Sequence, residues 1–410
     1  MADQPLDPMT QSIVSSMPRR RFLRAAGIGG AAMAAAACGA KGTTTAGPTD
    51  SASGAPVPSS QPDKSDTDKV ANWSNWVSYL DVDETSGKRP SLDAFEKESG
   101  IKVTYTEDVN GNQDFYAKVR AQLEKGRDIS RDIVVLTDWM AGTWVSKGYA
   151  LPFTDVETTL PNKKNVLDAL ADPAFDPGRA HTLPWQSGFA GLGWNKTLLK
   201  AATGKTEMKT LDDLWNPALK GKITVLDEMR DTIGIIMLAQ GKDPSNFTDD
   251  DFNAAADELQ KQLDSGQIRQ VTGNDYLTAL ENKDVVAVLG WSGDVAALGD
   301  EYAFALPESG GTLWTDNLLI PAMAAHQKNA QKIMNYYYDP VNAATVAAYV
   351  QYITPVKGAK EAIAKIDPTL VDNQLIFPSD ETLAKVSIFM PLEPAQQTKY
   401  EQKFQQLIGN

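Results

Sequence analysis

From Val70 onward the chain alternates short apolar runs with helix-like stretches, and this alternation constrains the fold more than any other feature. Ile101-Lys-Val-Thr-Tyr has the pattern of a strand, and Asp132-Ile-Val-Val-Leu is apolar enough to be buried on both faces. Asp284-Val-Val-Ala-Val-Leu-Gly and Leu318-Leu-Ile-Pro-Ala give the same signal. Between Asp114 and Leu123 the residues Phe115, Val119 and Leu123 share one helical face. Asp250 to Leu263, Gln331 to Tyr338 and Val341 to Tyr349 are further helical stretches. Strands alternating with helices predict an α/β protein with mostly parallel sheets. With 410 residues, about two domains are expected.

In open α/β sheets ligands bind beyond the carboxyl ends of the strands. Those positions are aromatic and acidic here. Thr137 and Trp139 follow the strand ending at Leu136, and Trp291 follows Val288-Leu289-Gly290. Trp314 and Asp316 lie in Gly310-Gly-Thr-Leu-Trp-Thr-Asp-Asn-Leu. Trp76 and Tyr79 lie just after the folded body begins, and Glu228 and Asp231 follow Ile223-Thr-Val-Leu-Asp. A single tryptophan is more often core than ligand contact; recurrence at strand ends along the whole chain favours a site.

That chemistry suits a flexible organic cation. An ammonium entering a cleft loses its water, and a carboxylate replaces it with a charge-assisted hydrogen bond. Aromatic faces attract the cation by roughly 0.5–2 kcal/mol. They also cover the methylenes between amines, at about 0.8 kcal/mol per buried CH₂. The net charge of −14 is compatible with a cationic partner and argues against nucleic acid.

The first residues are set apart from this body. Arg19-Arg20-Arg21-Phe22-Leu23-Arg24 precedes a small, weakly apolar run from Ala25 to Ala37. The run is shorter than the about 20 residues that span a bilayer, so residues 1–37 are expected to be an export signal, similar to a twin-arginine (Tat) signal. Ala35-Ala36-Ala37-Cys38-Gly39 resembles a bacterial lipobox, and Cys38 is the chain's single cysteine. It has no disulfide partner within the chain, and lipidation of Cys38 would anchor the protein on the outer face of the cytoplasmic membrane. Residues 38–69, rich in Gly, Ser, Thr and Pro, are expected to be a flexible tether.

The residues from Val70 to the end resemble the spermidine/putrescine-binding proteins of polyamine ABC importers. The resemblance rests on Asn75-Trp76 with Tyr79, Thr137 with Trp139, Leu183-Pro184-Trp185 through Asn195, and Asp212-Asp-Leu-Trp-Asn-Pro-Ala-Leu-Lys-Gly. It rests also on Glu228-x-Arg230-Asp231, Trp291, Trp314-Thr-Asp316 and Tyr352 ahead of Thr354-Pro355. It implies a two-lobed periplasmic-binding-protein-like (type II) fold with crossing strands and a central cleft. Lobe one is then expected from residues 70–188 plus 315–360, and lobe two from 189–314 plus 361–410. The implied ligand contacts are Trp76, Tyr79, Thr137, Trp139, Glu228, Asp231, Trp291, Trp314, Asp316 and Tyr352. The implied partners are a polyamine and an ABC importer permease, with no cofactor and no metal. Glu228 and Asp231 would surround one ammonium. Val77 stands where the family has a threonine, Thr272 stands near a family serine, and the segment Ser387-Ile-Phe-Met-Pro-Leu-Glu393 lacks the family's late glutamine.

The same fold serves other ligands, so γ-aminobutyrate, another organic cation or iron remain alternatives; Tyr336-Tyr337-Tyr338 invites the last. An enzyme is less favoured. His181 and His326 have no metal-ligand spacing, there is no G-x-S-x-G elbow and no P-loop, and nothing places a nucleophile beside Glu228 and Asp231 as a hydrolase pair.

Overall fold

Ile133–Thr137, the run apolar enough for burial on both faces, forms strand β3 in the interior of a ten-stranded sheet. The structure, a computed structural model, describes residues 58–83 and 85–409. Its other strands are β1 (Val70–Trp76), β2 (Lys102–Val109), β4 (Thr182–Asn195), β5 (Ile223–Leu226), β6 (Ile268–Thr272), β7 (Ala287–Trp291), β8 (Tyr302–Ala305), β9 (Gly311–Leu319) and β10 (Val386–Ser387). The path is β2-β1-β3-β9-β4-β7-β5-β6, with β10 on β9 and β8 on β4.

Two parallel blocks account for the ends of this path. In the first, β1 is joined to β2 through the helix Pro90–Ser99, and β2 to β3 through the helix Asn112–Leu123. Proline opens the first of these helices, and Gly100, left-handed at φ 71°, closes it. In the second block β5 pairs in parallel with β6 and β7, with the helices Met229–Ala239 and Asp249–Asp264 between β5 and β6. Parallel strands need such crossovers, which cover the sheet, and the interior strands β3, β5 and β7 are buried along almost their whole length.

The two blocks are joined by the antiparallel strands β4 and β9. β9 pairs with β3 at Asp316–Leu319, while β4 pairs with β7 at Ala190–Trp194. β4 and β9 pair with each other from Thr182↔Leu319 to Ala190↔Thr312. Each therefore begins in one block and ends in the other, which places a cleft between the carboxyl ends of the parallel strands. The two-lobed α/β architecture with crossing strands is what the sequence led us to expect.

Several details differ from the sequence reading. The strand expected at Leu318–Ala322 begins earlier, as β9 (Gly311–Leu319). Trp314, Asp316 and Asn317 interrupt its apolar pattern, because this strand faces a cavity and buried polar groups rather than solvent. The lobe boundary expected between 360 and 361 cuts the helix Ala359–Ile366, which packs on the helix Pro340–Val350. The last helix, Pro394–Ile408, packs on Asp249–Asp264, with Phe252 and Tyr400 stacked at 4.2 Å.

Residues 1–37, Cys38 and most of the expected tether lie outside the described residues. The tether's described end lies against lobe one. Lys64 N donates to Ala325 O (2.8 Å), Gln61 Nε2 to Met323 O (2.6 Å), and the buried Ser65 hydroxyl accepts from Asn329 N (3.1 Å). Among the described residues no helix is long and apolar enough to cross a membrane.

Candidate functional site

All ten residues expected to touch ligand line one cavity of about 700 Å³ between the lobes. Chain geometry explains how they converge. Trp76 and Trp291 end β1 and β7, Thr137 ends β3, and Trp139 opens the helix Asp138–Ser146 immediately after β3. Glu228 caps the helix Met229–Ala239 and Asp231 sits in its first turn, where the helix dipole favours an acid. Trp314 and Asp316 are two apart on β9, which brings them to the same face. Tyr352 follows Gln351, whose left-handed backbone (φ 56°) ends the helix Pro340–Val350.

Two aspartates are held ready as acceptors. Asp316 Oδ1 accepts from Thr137 Oγ1 (2.7 Å) and Oδ2 from Tyr79 OH (2.8 Å). Asp231 Oδ1 accepts from Thr312 Oγ1 (2.6 Å) and Oδ2 from Trp291 Nε1 (2.9 Å). Each is buried, and burial pushes each carboxyl up to about 7 despite these hydrogen bonds. Glu228 adds to the rise at Asp231. Desolvation favours the neutral carboxyl, and in both residues it outweighs the hydrogen bonds that favour the ionised form.

Aromatic rings wall the space. Trp76 and Trp291 meet edge to face at 6.1 Å across the lobe gap, and Trp314 meets Tyr352 at 5.1 Å. Tyr79 lies 5.6 Å from Tyr352. Asn112 Nδ2 reaches Glu228 Oε2 (3.3 Å), a second contact between lobes.

Gly188 lies on β4 directly beneath this wall. A Cβ there would sit 2.5 Å from Trp314 Cζ2 and 2.7 Å from Tyr352 Cδ1, so both rings depend on the missing side chain. The variant Gly188→Ala is expected to keep the fold by circular dichroism and to lose ligand affinity by about tenfold or more, because a 1 Å displacement of a wall ring removes its van der Waals contacts. Calorimetric titration checks this.

Several residues of the site lacked a signal we used in the sequence. Asp294 lines the cavity three residues after Trp291, and its Oδ2 accepts from Asn274 Nδ2 (3.0 Å) and Tyr276 OH (3.2 Å). The strand-end rule would have found it. Asn274 Oδ1 is buried in the same wall with no hydrogen-bond partner. Asp227, also lining, is pushed up to about 7 by burial and by Glu228. A glutamine does reach the cavity, though not from 387–393: Gln397 comes from the last helix and is bonded to Arg230. Thr272, at the end of β6, is buried and does not line the cavity.

Glu228 does not face the cavity as a free acid. Arg230 Nη1 lies 3.8 Å from Glu228 Oε1 and 3.2 Å from Glu401 Oε1. Its guanidinium stacks 4.0 Å from the centre of the Trp139 ring.

The tyrosines that suggested iron have packing roles. Tyr337 OH bonds Ser91 Oγ (3.0 Å) and its ring packs edge-on against Trp185 at 5.3 Å, while Tyr338 OH donates to Pro184 O (2.5 Å). His326 bonds Asp132 and Asp68, and His181 bonds Asp176. Among the described residues no three His, Cys, Asp or Glu side chains are grouped to hold a metal.

A cleft between two α/β lobes with strands crossing beneath it is an architecture that can enclose a ligand. The family profile of bacterial extracellular solute-binding proteins matches residues 91–375, and the chain belongs to that family. Members are transport proteins that carry solutes rather than transform them. The chain is 27% identical over 295 residues to spermidine/putrescine-binding periplasmic protein 1 of Haemophilus influenzae, covering 71% of this chain and 78% of that one. It is 26% identical over 341 residues to a putrescine-binding periplasmic protein of Escherichia coli, covering 78% and 86%. A solved chain from Listeria monocytogenes superimposes with a TM-score of 0.70 at 24% identity, covering 83% of this chain and 98% of that one.

Proposed function

We propose that this protein captures a polyamine of the spermidine/putrescine class outside the cell and delivers it to an ABC importer by closing its lobes. The observation that carries this reading is the pair of buried, donor-braced carboxylates, Asp316 and Asp231, inside a wall of tryptophan and tyrosine. Each has its hydrogen-bond donors in place and still lacks enough positive charge to keep it ionised near neutral pH, Arg230 offsetting burial at Asp231 only in part. The ammonium groups of a polyamine supply that charge, and its methylenes lie against the rings. Asn274 Oδ1, buried and without a partner, offers a further acceptor to an N–H donor. The ligands for which the relatives are named agree with this chemistry. A calorimetric screen of putrescine, spermidine, spermine, γ-aminobutyrate and basic amino acids tests it: tight binding of a polyamine is expected, and no binding of any polyamine refutes it.

The anchor belongs to the same proposal. Export by the Tat-like signal and lipidation at Cys38 would hold the body at the outer membrane face, beside its permease. Cys38→Ser is expected to release the protein from membrane fractions into the soluble extract, read by fractionation and immunoblot. Undiminished membrane retention of this variant would refute lipid anchoring there.

A further inference from the structure

The cavity continues past its acids. Trp139, Gly142, Thr143 and Ser146 recur at the spacing of one helical face on Asp138–Ser146, and all four line it. From Trp139 to Ser146 that face runs about 10 Å, at roughly 1.5 Å per residue, away from the strand end that carries Thr137. Gly142 lets this wall close up, since a Cβ there would sit 3.1 Å from Phe175 Cβ in the lining segment 173–175. The segment 388–392, Ile-Phe-Met-Pro-Leu, lines the cavity from lobe two. It meets the first turn of the helix through Arg230, whose guanidinium lies 4.0 Å from the centre of the Trp139 ring and 5.7 Å from that of Phe389. This segment is fixed in place: β10 pairs with β9 just before it, Met390 N donates to Pro244 O (2.9 Å), and the buried Phe389 ring packs 5.0 Å from Phe247. Ile388 is nevertheless 61% exposed where it lines the cavity, the most exposed large apolar side chain among the described residues.

We propose that this extension is an acyl subsite: the ligand is a polyamine whose far nitrogen is an amide, and the alkyl chain of its acyl group lies between the helix face and the segment 388–392. This rests on the polyamine reading and narrows it. The acids lining the cavity are Asp138, Asp227, Glu228, Asp231, Asp294 and Asp316. All stand on β9 or just beyond the ends of β3, β5 and β7. The segments 173–175 and 388–392 and the helix face beyond Trp139 add no carboxylate, and next to Ser146 the lining ends in Lys147, whose Nζ donates to Tyr116 OH (3.2 Å). An ammonium in the extension would give up its water with no carboxylate in return. An alkyl chain there gains from every methylene it covers. The amide also finds partners. Thr143 Oγ1 donates to Trp139 O (2.8 Å) and Ser146 Oγ to Thr143 O (3.0 Å), which leaves both hydroxyl oxygens as acceptors for an amide N–H. Size agrees with a longer, partly apolar ligand. The cavity of about 700 Å³ lies within the roughly 300–1,000 Å³ of pockets that bury drug-sized molecules, more than an unbranched diamine fills.

The test is calorimetric titration of the full mature chain with spermidine and with spermidine acetylated or hexanoylated at its aminopropyl end. The two acyl compounds share their ammonium groups and their amide and differ only in methylenes. Each methylene covered is worth about fourfold in Kd, so the wild type should bind the hexanoyl compound at least about tenfold more tightly than the acetyl one, and more tightly than spermidine itself. Equal affinity for the two acyl compounds, the result expected of an extension that serves only as an entrance, overturns the proposal, as does tighter binding of spermidine than of the hexanoyl compound. Ile388→Asp places a carboxylate in the extension at an exposed position. It should lower the hexanoyl-to-acetyl ratio by at least about threefold and move the preference toward spermidine, whose third ammonium gains a partner. A merely structural change would lower all affinities alike, and an unmoved ratio in this variant overturns the subsite. Should Ile388→Asp fail to fold by near-ultraviolet circular dichroism, the wild-type ratio decides alone. Failure of putrescine, spermidine and both acyl compounds to bind the wild type sinks the polyamine reading itself, an outcome distinct from putrescine binding with a flat acyl series.

Discussion

Asp316→Asn is expected to reduce polyamine affinity by roughly 2–5 kcal/mol, about thirtyfold to several thousandfold in Kd, with the fold intact. The carboxylate is buried and each of its oxygens already accepts one hydrogen bond, from Thr137 Oγ1 at 2.7 Å and from Tyr79 OH at 2.8 Å. Its remaining lone pairs and its charge are left for the ligand. Asparagine keeps the shape but supplies no charge, and its amide nitrogen offers a donor where an ammonium needs an acceptor. The effect on the ligand-free protein should have the opposite sign. A buried carboxyl raised to about 7 is costly to ionise, so the amide should leave the melting temperature at pH 8 unchanged or higher. Titration and thermal melts of the same preparation check both halves. Wild-type affinity in a folded Asp316→Asn protein would remove this residue from the site.

Much of the site was legible in the sequence because each contributing strand is short, apolar and followed at once by its functional side chain. Thr137 with Trp139 and Trp291 are of this kind, and local pattern alone marks where they fall. Trp314 and Asp316 were found for a different reason. They lie within a crossing strand, where a two-residue spacing brings both side chains to one face. What stayed hidden depends on contacts between distant segments. Nothing local to Arg230 says that Gln397 and Glu401 will close on it from the last helix, or that Trp139 will lie beneath it. Glu228 therefore read as a bare acid, whereas in the fold it lines the cavity with Arg230 Nη1 3.8 Å away. The same limit applies to the segment before Val70. Its composition reads as a tether, yet residues 59–68 contain Gln61, Ser65 and Asp68, whose side chains find partners on lobe one that only the folded chain brings near. The α/β class followed from strand–helix alternation, whereas the antiparallel direction of β4 and β9 is set by pairing that alternation does not encode.

Ligand capture should depend steeply on pH, with affinity rising from pH 5 to pH 8. In the free protein Asp231 and Asp316 are each pushed up to about 7, chiefly by burial, so below that pH these two carboxyls are largely protonated. A polyamine keeps its charge over this range, since alkyl ammonium groups titrate near the lysine value of about 10.4. Its ammonium groups favour the ionised carboxylates, so binding expels the protons these groups hold. Each group that must ionise on binding weakens the apparent affinity by about tenfold per pH unit below its free value. The two together can span about two to four orders of magnitude between pH 5 and pH 7, with a plateau above pH 8. The linkage in the free protein has the reverse sign. These carboxyls have folded values above their unfolded value of 3.8, so the folded state binds more protons, and ligand-free stability should fall as pH rises from about 4 to 7. Asp227 and Glu401, also pushed up to about 7, add to that fall, although Glu401 faces Arg230 and is not expected to release its proton to the ligand. Calorimetry at pH 6 in buffers of different ionisation enthalpy counts the protons released. A release between one and two per polyamine is expected for the wild type, and Asp316→Asn, where binding remains measurable, should lower the count by up to one. An affinity that is flat from pH 5 to pH 8 would mean that Asp231 and Asp316 are ionised before the ligand arrives, and that they receive it as preformed charges.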